Sequence, residues 1–140
     1  IKKCFEELIL HKVDLSGIIL KPNMILSGTQ SKERISSEEV SNKTLECLKN
    51  SVPSDVPGIA FLSGGQSELE ATENLNLINK NNNTNFIMTY SYGRALQQSA
   101  LKVWSKNIKD IEGTQKTFNH RAKMCTLAAQ GKWVRELESK

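Results

Sequence analysis

A lysine closes the apolar run Ile18-Ile19-Leu20-Lys21-Pro22-Asn23. The three aliphatic residues have the character of a strand buried in a core. Pro22 confines Lys21 to extended backbone, so the strand runs up to the lysine and stops there. A cation in that place is costly unless it is paired, neutral or put to chemical use. A desolvated lysine amine is stable in its neutral form and can attack a carbonyl to give a Schiff base. Two other strand-like runs end in residues of a different chemistry. Gly58-Ile59-Ala60-Phe61-Leu62 leads into Ser63-Gly64-Gly65-Gln66-Ser67, and Phe86–Ser91 leads into Tyr92-Gly93-Arg94. Glycines at a strand-to-helix turn let backbone N–H groups approach an anion, and the helix N-terminus adds partial positive charge. Arg94 contributes a fork of charged donors that matches phosphate. If these are the last two strands of a βα barrel, Ser63, Gly64, Gly65, Gly93 and Arg94 converge on one phosphate, with Lys21 one strand away.

The elements that must position these residues alternate. The spacing predicts a helix over residues 1–12 and a strand over Gly17–Pro22. A polar loop, Ser27–Ile35, follows. Ser36 and Glu39 form a capping-box pair that opens a helix with Val40, Thr44, Cys47, Leu48 and Ser51 along one stripe. Pro53 and Pro57 end it. Ser67 and Glu70 repeat the capping box after the second strand, and Asn79–Asn85 reads as a polar connector before the third. Two further helices are expected, over Ala95–Trp104 and Thr114–Gln130, with Gly131 as the stop of the second. Leu48, Leu75, Leu96, Trp104 and Phe118 are the expected core. Tyr90 and Tyr92 lie one strand period apart, so Tyr92 has a simple packing role open to it.

Repeated βα units imply a parallel sheet with right-handed crossovers. Such a sheet needs cover on both faces or closure into a barrel, and three strands cannot close. The chain also opens inside an uncapped helical repeat (Ile1, Cys4, Phe5, Leu8) rather than at a Met. The expectation is therefore a piece of something longer, with missing strands upstream.

Bulk properties narrow the function classes. The 140 residues suffice for one modest domain, and 24% charged with 38% hydrophobic residues is ordinary for a globular protein. A net charge of +4 suits anionic ligands but is too mild and dispersed for a nucleic-acid binder. No apolar run is long enough for a membrane helix. Three scattered cysteines (Cys4, Cys47, Cys125) argue for a reducing compartment, and the cytoplasm is the expected location. With His11 and His120 the only histidines and no Cys-x-x-Cys, no metal site and no cofactor are expected. Each chemical feature has a plainer alternative: a lone strand-end lysine is most often solvated, and a Gly-Gly before a helix is most often a tight turn. Their coincidence at successive strand ends is what favours a site.

Three motifs together resemble class I fructose-bisphosphate aldolase: Leu20-Lys21-Pro22-Asn23-Met24, Phe61-Leu62-Ser63-Gly64-Gly65-Gln66-Ser67-Glu68 and Ser91-Tyr92-Gly93-Arg94-Ala95-Leu96-Gln97. Lesser matches at Ser51-Val52-Pro53, Val56-Pro57-Gly58 and Glu70-Ala71-Thr72 extend the likeness over essentially the whole chain. The resemblance implies a (β/α)8 barrel of which residues 1–140 are the carboxyl-terminal part, strands six to eight with their helices. It implies that Lys21 forms the Schiff base. Ser63, Gly64, Gly93 and Arg94 would bind the phosphate next to the reacting ketone, and Leu62, Gly65 and Ser91 would line the pocket. It also implies a metal-free cleavage of fructose 1,6-bisphosphate to dihydroxyacetone phosphate and glyceraldehyde 3-phosphate, a homotetramer, and actin-type partners that no residue here identifies. The family's acid/base carboxylates and its terminal tyrosine have no match in this chain, so the 140 residues alone are expected to be inactive. A catalytically silent phosphate-binding module and a cytoskeletal scaffold are the competing functions.

Overall fold

The computed structural model describes residues 1–139. Its elements run α1 (Lys2–Leu10), β1 (Ile19–Leu20), α2 (Ser37–Ser51), β2 (Gly58–Phe61), α3 (Glu68–Asn81), β3 (Ile87–Tyr90), α4 (Arg94–Lys106) and α5 (Ile111–Ala129). Short 3-10 turns cover Leu15–Gly17 and Arg135–Ser139. The three strands form one parallel sheet in the order β1-β2-β3. Ile19 pairs with Gly58, Leu20 with Ile59, and Phe61 with Tyr90. This is the α/β arrangement expected of successive strand–helix units.

Local chemistry explains where the helices start. Ser36 accepts from the Glu39 N–H while Glu39 accepts from the Ser36 N–H, and Ser67 and Glu70 do the same for α3. Each box satisfies donors that a helix start leaves without intrahelical partners. Gly131 closes α5 with φ +67, a backbone region that L side chains rarely adopt. Several expected boundaries shift, two of them for a clear local reason. The helix α3 extends to Asn81, three residues into the predicted connector, where the Asn79 side-chain amide donates to the Leu75 carbonyl at 3.0 Å. The first strand shrinks to Ile19–Leu20, because Leu15–Gly17 coils on the Asp14 cap.

Every strand buries one face only. Ile59, Phe61 and Met88 pack into a single core with Leu45, Leu48, Leu75, Ile78, Cys125 and Ala128 from α2, α3 and α5. On the opposite face Ile19 is 67% exposed and Ile87 75%. Helices cover only one side, so the expectation of strands buried on both faces is not met within these residues. The expected core also needs correction. Leu48 and Leu75 are buried, but Leu96 and Phe118 are half-buried and Trp104 is 50% exposed. Helical periodicity found the α4 stripe that Leu96 and Trp104 share. It could not tell that Leu96 packs against the core while Trp104, further along, stands half in solvent.

The chain's end folds back on α3 and α5. The Trp133 N–H donates to Asn76 at 3.0 Å, and the Trp133 indole and Arg121 guanidinium both donate to Glu138, at 2.8 and 2.5 Å. Arg121 is buried, so Glu138 neutralises a cation held away from water.

Candidate functional site

The site residues gather at the carboxyl edge of the sheet. Pairing continues past the strands: the Leu62 N–H donates to the Pro22 carbonyl at 3.0 Å and the Ser91 N–H to the Phe61 carbonyl at 2.8 Å. Lys21 therefore stands beside Ala60, and strand alternation puts Lys21, Leu62 and Ser91 on the uncovered face of the sheet. With adjacent strands about 4.8 Å apart, β1 and β3 lie about 10 Å from each other, within reach of one small ligand. Lys21 is exposed. The expectation of a desolvated lysine is corrected for these residues, and the cause is the bare sheet face on which it sits.

Two loops meet beyond that edge. Ser63, Gly65 and Gln66 from the β2–α3 loop face Arg94, Gln98 and Lys102 of α4 across a cleft of about 580 Å3. Two cations and no carboxylate line it. Of the residues assigned to phosphate or pocket by their types and motifs, this cleft brings together Ser63, Gly65 and Arg94. Gly64 turns to a neighbouring cavity lined also by Gly65, Arg34 and Asn74. Lys21, Leu62, Ser91 and Gly93 do not line the cleft.

The two helix starts are not electrostatically alike. The first turn of α3 carries Glu68 and Glu70 and its own capping box. Its N-terminal charge is therefore already matched. The Ser67 bonds hold the Glu70 carboxyl below the ordinary range. Helix α4 starts at Gly93, has no side-chain cap and no acidic residue in its first turn, and places Arg94 there. Of the two helices, α4 is the one that offers its N-terminus to an anion.

Side chains with no site role assigned from sequence fix this geometry. Glu68 accepts from the Ser99 N–H at 2.8 Å and from the Ser99 hydroxyl, tying the start of α3 to α4. The Tyr92 hydroxyl donates to the Ala71 carbonyl at 2.9 Å and is buried, so Tyr92 is a packing residue with a polar tether. Burial pushes its hydroxyl above the ordinary phenol range. Gly64 (φ +57) and Gly65 (φ +85) form the turn after β2. A Cβ on Gly64 would lie 2.2 Å from the Asn23 Oδ1, so the loop passes directly over the residue that follows Lys21-Pro22. Among the described residues no cluster of His, Cys, Asp or Glu is suited to a metal ion. No helix there is long and apolar enough to cross a membrane.

A family model described as fructose-bisphosphate aldolase class-I matches residues 1–140. A probable fructose-bisphosphate aldolase class 1 of Xylella fastidiosa is 42% identical over 134 residues, covering 95% of this chain and 40% of that protein. A non-muscle type fructose-bisphosphate aldolase of Lethenteron camtschaticum is 50% identical over 125 residues, 89% of this chain and 34% of the relative. The solved fructose-bisphosphate aldolase of Plasmodium falciparum, in complex with TRAP and a small molecule inhibitor, superposes with a TM-score of 0.90 at 38% identity. That match covers 95% of this chain and 38% of the other. The chain thus spans about 40% or less of the length of these relatives. A match over its whole length makes this chain a member of the class I fructose-bisphosphate aldolase family.

Proposed function

We propose that residues 1–140 are the carboxyl-terminal part of a (β/α)8 aldolase barrel, contributing strands six to eight. The protein would cleave fructose 1,6-bisphosphate reversibly in glycolysis and gluconeogenesis. The observation that carries this is the convergence of Lys21, the Ser63–Gln66 turn and the open, cationic start of α4 on one edge of a parallel sheet. The bare face bearing Lys21 becomes the barrel interior once the other strands close over it, which would shield the amine from water. The neutral Lys21 amine adds to the substrate ketone and loses water to give an iminium. The iminium accepts the electron pair released as the C3–C4 bond breaks, leaving an enamine and freeing glyceraldehyde 3-phosphate. Protonation of the enamine at its nucleophilic carbon regenerates an iminium, and addition of water to that iminium returns the Lys21 amine and dihydroxyacetone phosphate.

The phosphate next to the ketone is held by the backbone of Ser63 and Gly64 and by Gly93 and Arg94, with Leu62, Gly65 and Ser91 lining the pocket. Carboxylates that move the protons come from strands outside this chain, so the 140 residues by themselves lack turnover. A homotetramer is proposed on family resemblance. Relatives include both a cytosolic and a chloroplastic protein, and the cytoplasm is the proposed location. A protein partner has its precedent in the Plasmodium falciparum enzyme seen with TRAP. The test is Arg94→Ala in the full-length protein. Expected is at least a tenfold rise in KM for fructose 1,6-bisphosphate, in line with loss of a charge-assisted bond. An unchanged KM contradicts the phosphate assignment.

A further inference from the structure

The peptide between Ser63 and Gly64 is restrained from one side. The Ser63 carbonyl accepts from the Gln66 backbone N–H at 3.0 Å and from the Gln66 Nε2 at 2.8 Å. The Gln66 Oε1 accepts from the Asn74 Nδ2 at 2.7 Å, and Nε2 also approaches the Met24 sulfur at 3.6 Å. The direction of this relay is dictated from its end. A backbone carbonyl can only accept, so Gln66 must turn its NH2 to Ser63 and its oxygen to Asn74. Asn74 must then present its own NH2, which leaves its buried Oδ1 without a partner. An unpaired buried acceptor costs stability and offsets part of what the relay's bonds contribute.

Its geometric consequence lies in the loop. A trans peptide carries its C=O and N–H on opposite edges. Two donors pulling the Ser63 oxygen toward Gln66 therefore aim the Gly64 N–H the other way. Without them this peptide could turn over easily, because Gly64 and Gly65 tolerate either sign of φ. The turned-over form would offer an anion a carbonyl oxygen in place of a donor.

We propose that Gln66, backed by Asn74, is a positioning residue that locks the Ser63–Gly64 peptide with its N–H toward the substrate phosphate. This rests on the phosphate site proposed above. Gln66 makes affinity for phosphate depend on one amide's orientation and leaves the chemistry at Lys21 untouched. The Met24 contact ties the same side chain to the segment that follows Lys21.

The test uses the full-length enzyme and two uncharged variants, Gln66→Met and Asn74→Leu, with Arg94→Ala as reference. Inorganic phosphate is the probe, read as competitive inhibition alongside KM, kcat and melting temperature. Gln66→Met removes the side-chain donor and leaves the backbone one, and phosphate binding is expected to weaken about tenfold, with KM rising in step and kcat within about twofold. Asn74→Leu frees Gln66 to turn and removes the unpaired oxygen. Phosphate binding is expected to weaken about threefold while the melting temperature holds or rises, a combination that a purely structural role does not produce. If both variants bind phosphate as the parent does while Arg94→Ala weakens it, the positioning role is overturned and the phosphate site stands. If Arg94→Ala also leaves binding unchanged, both are overturned.

Discussion

Replacing Gly64 by alanine perturbs the junction between the lysine strand and the phosphate loop. Two costs follow from the structure. The first is backbone: at φ +57 an alanine gives up about 1 kcal/mol relative to glycine. The second is steric. The new Cβ would sit 2.2 Å from the Asn23 Oδ1 and 2.8 Å from its Cγ and Nδ2, so the Asn23 side chain must swing away. That movement breaks the 3.0 Å bond in which the Met24 N–H donates to Asn23, worth about 1 kcal/mol. Gly64→Ala is therefore expected to destabilise by about 2 kcal/mol, or about thirtyfold in the folding equilibrium. Gly65→Ala is the control. Its φ is +85 but its Cβ meets nothing within 4 Å, so only the backbone cost of about 1 kcal/mol applies. Urea denaturation of the full-length protein measures both. In an Asn23→Ala background Gly64→Ala should fall to the Gly65→Ala value, because the obstacle is gone. Equal costs for Gly64→Ala and Gly65→Ala in the parent would refute the packing of the loop on Asn23.

Other outcomes follow from the tethers around the site. Tyr92→Phe is expected to lose about 1 kcal/mol at neutral pH, since its hydroxyl bond to Ala71 goes. Because burial raises the folded-state value of Tyr92 above its ordinary 10.0, the unfolded chain ionises first as pH rises. Stability should be intact below pH 10 and decline above it, and the gap between parent and Tyr92→Phe should narrow there in pH-dependent denaturation. Ser67→Ala should cost about 1 kcal/mol by removing the α3 cap. Glu70, held below its ordinary value by the Ser67 bonds, stabilises above that value, and its contribution is lost as pH falls through the depressed one. Ser67→Ala should therefore flatten the acid limb of a stability profile. Glu138→Ala leaves the Arg121 guanidinium buried without its carboxylate and is expected to cost about 2–3 kcal/mol by calorimetry, less than a fully buried pair because Glu138 keeps some exposure.

Much of the fold is legible in the residues because local rules act alone there. Ser36 with Glu39 and Ser67 with Glu70 set two helix starts, and Gly131 with its positive φ sets a stop. The parallel order follows from repeated strand–helix spacing. What pattern could not supply is what lies across an empty face. Trp104 shares a stripe with buried Ala100 yet stands half in solvent, and Ile19, read as part of a buried strand, faces outward. Periodicity reports which residues share a face, not whether anything covers it. The candidate site divides in the same way. Ser63, Gly65 and Arg94 come from motif and turn chemistry. Gln66, Asn74 and Glu68 act through contacts to residues up to 42 positions away, which no local signal carries.

Covalent capture at Lys21 tests the proposed Schiff base most directly. The full-length protein is incubated with dihydroxyacetone phosphate, reduced with borohydride, digested and mapped by mass spectrometry. One stable adduct is expected, on the peptide containing Lys21, and it should vanish in Lys21→Met while the variant remains folded. Turnover of fructose 1,6-bisphosphate with no adduct on Lys21, or an adduct on another lysine that persists in Lys21→Met, would contradict it.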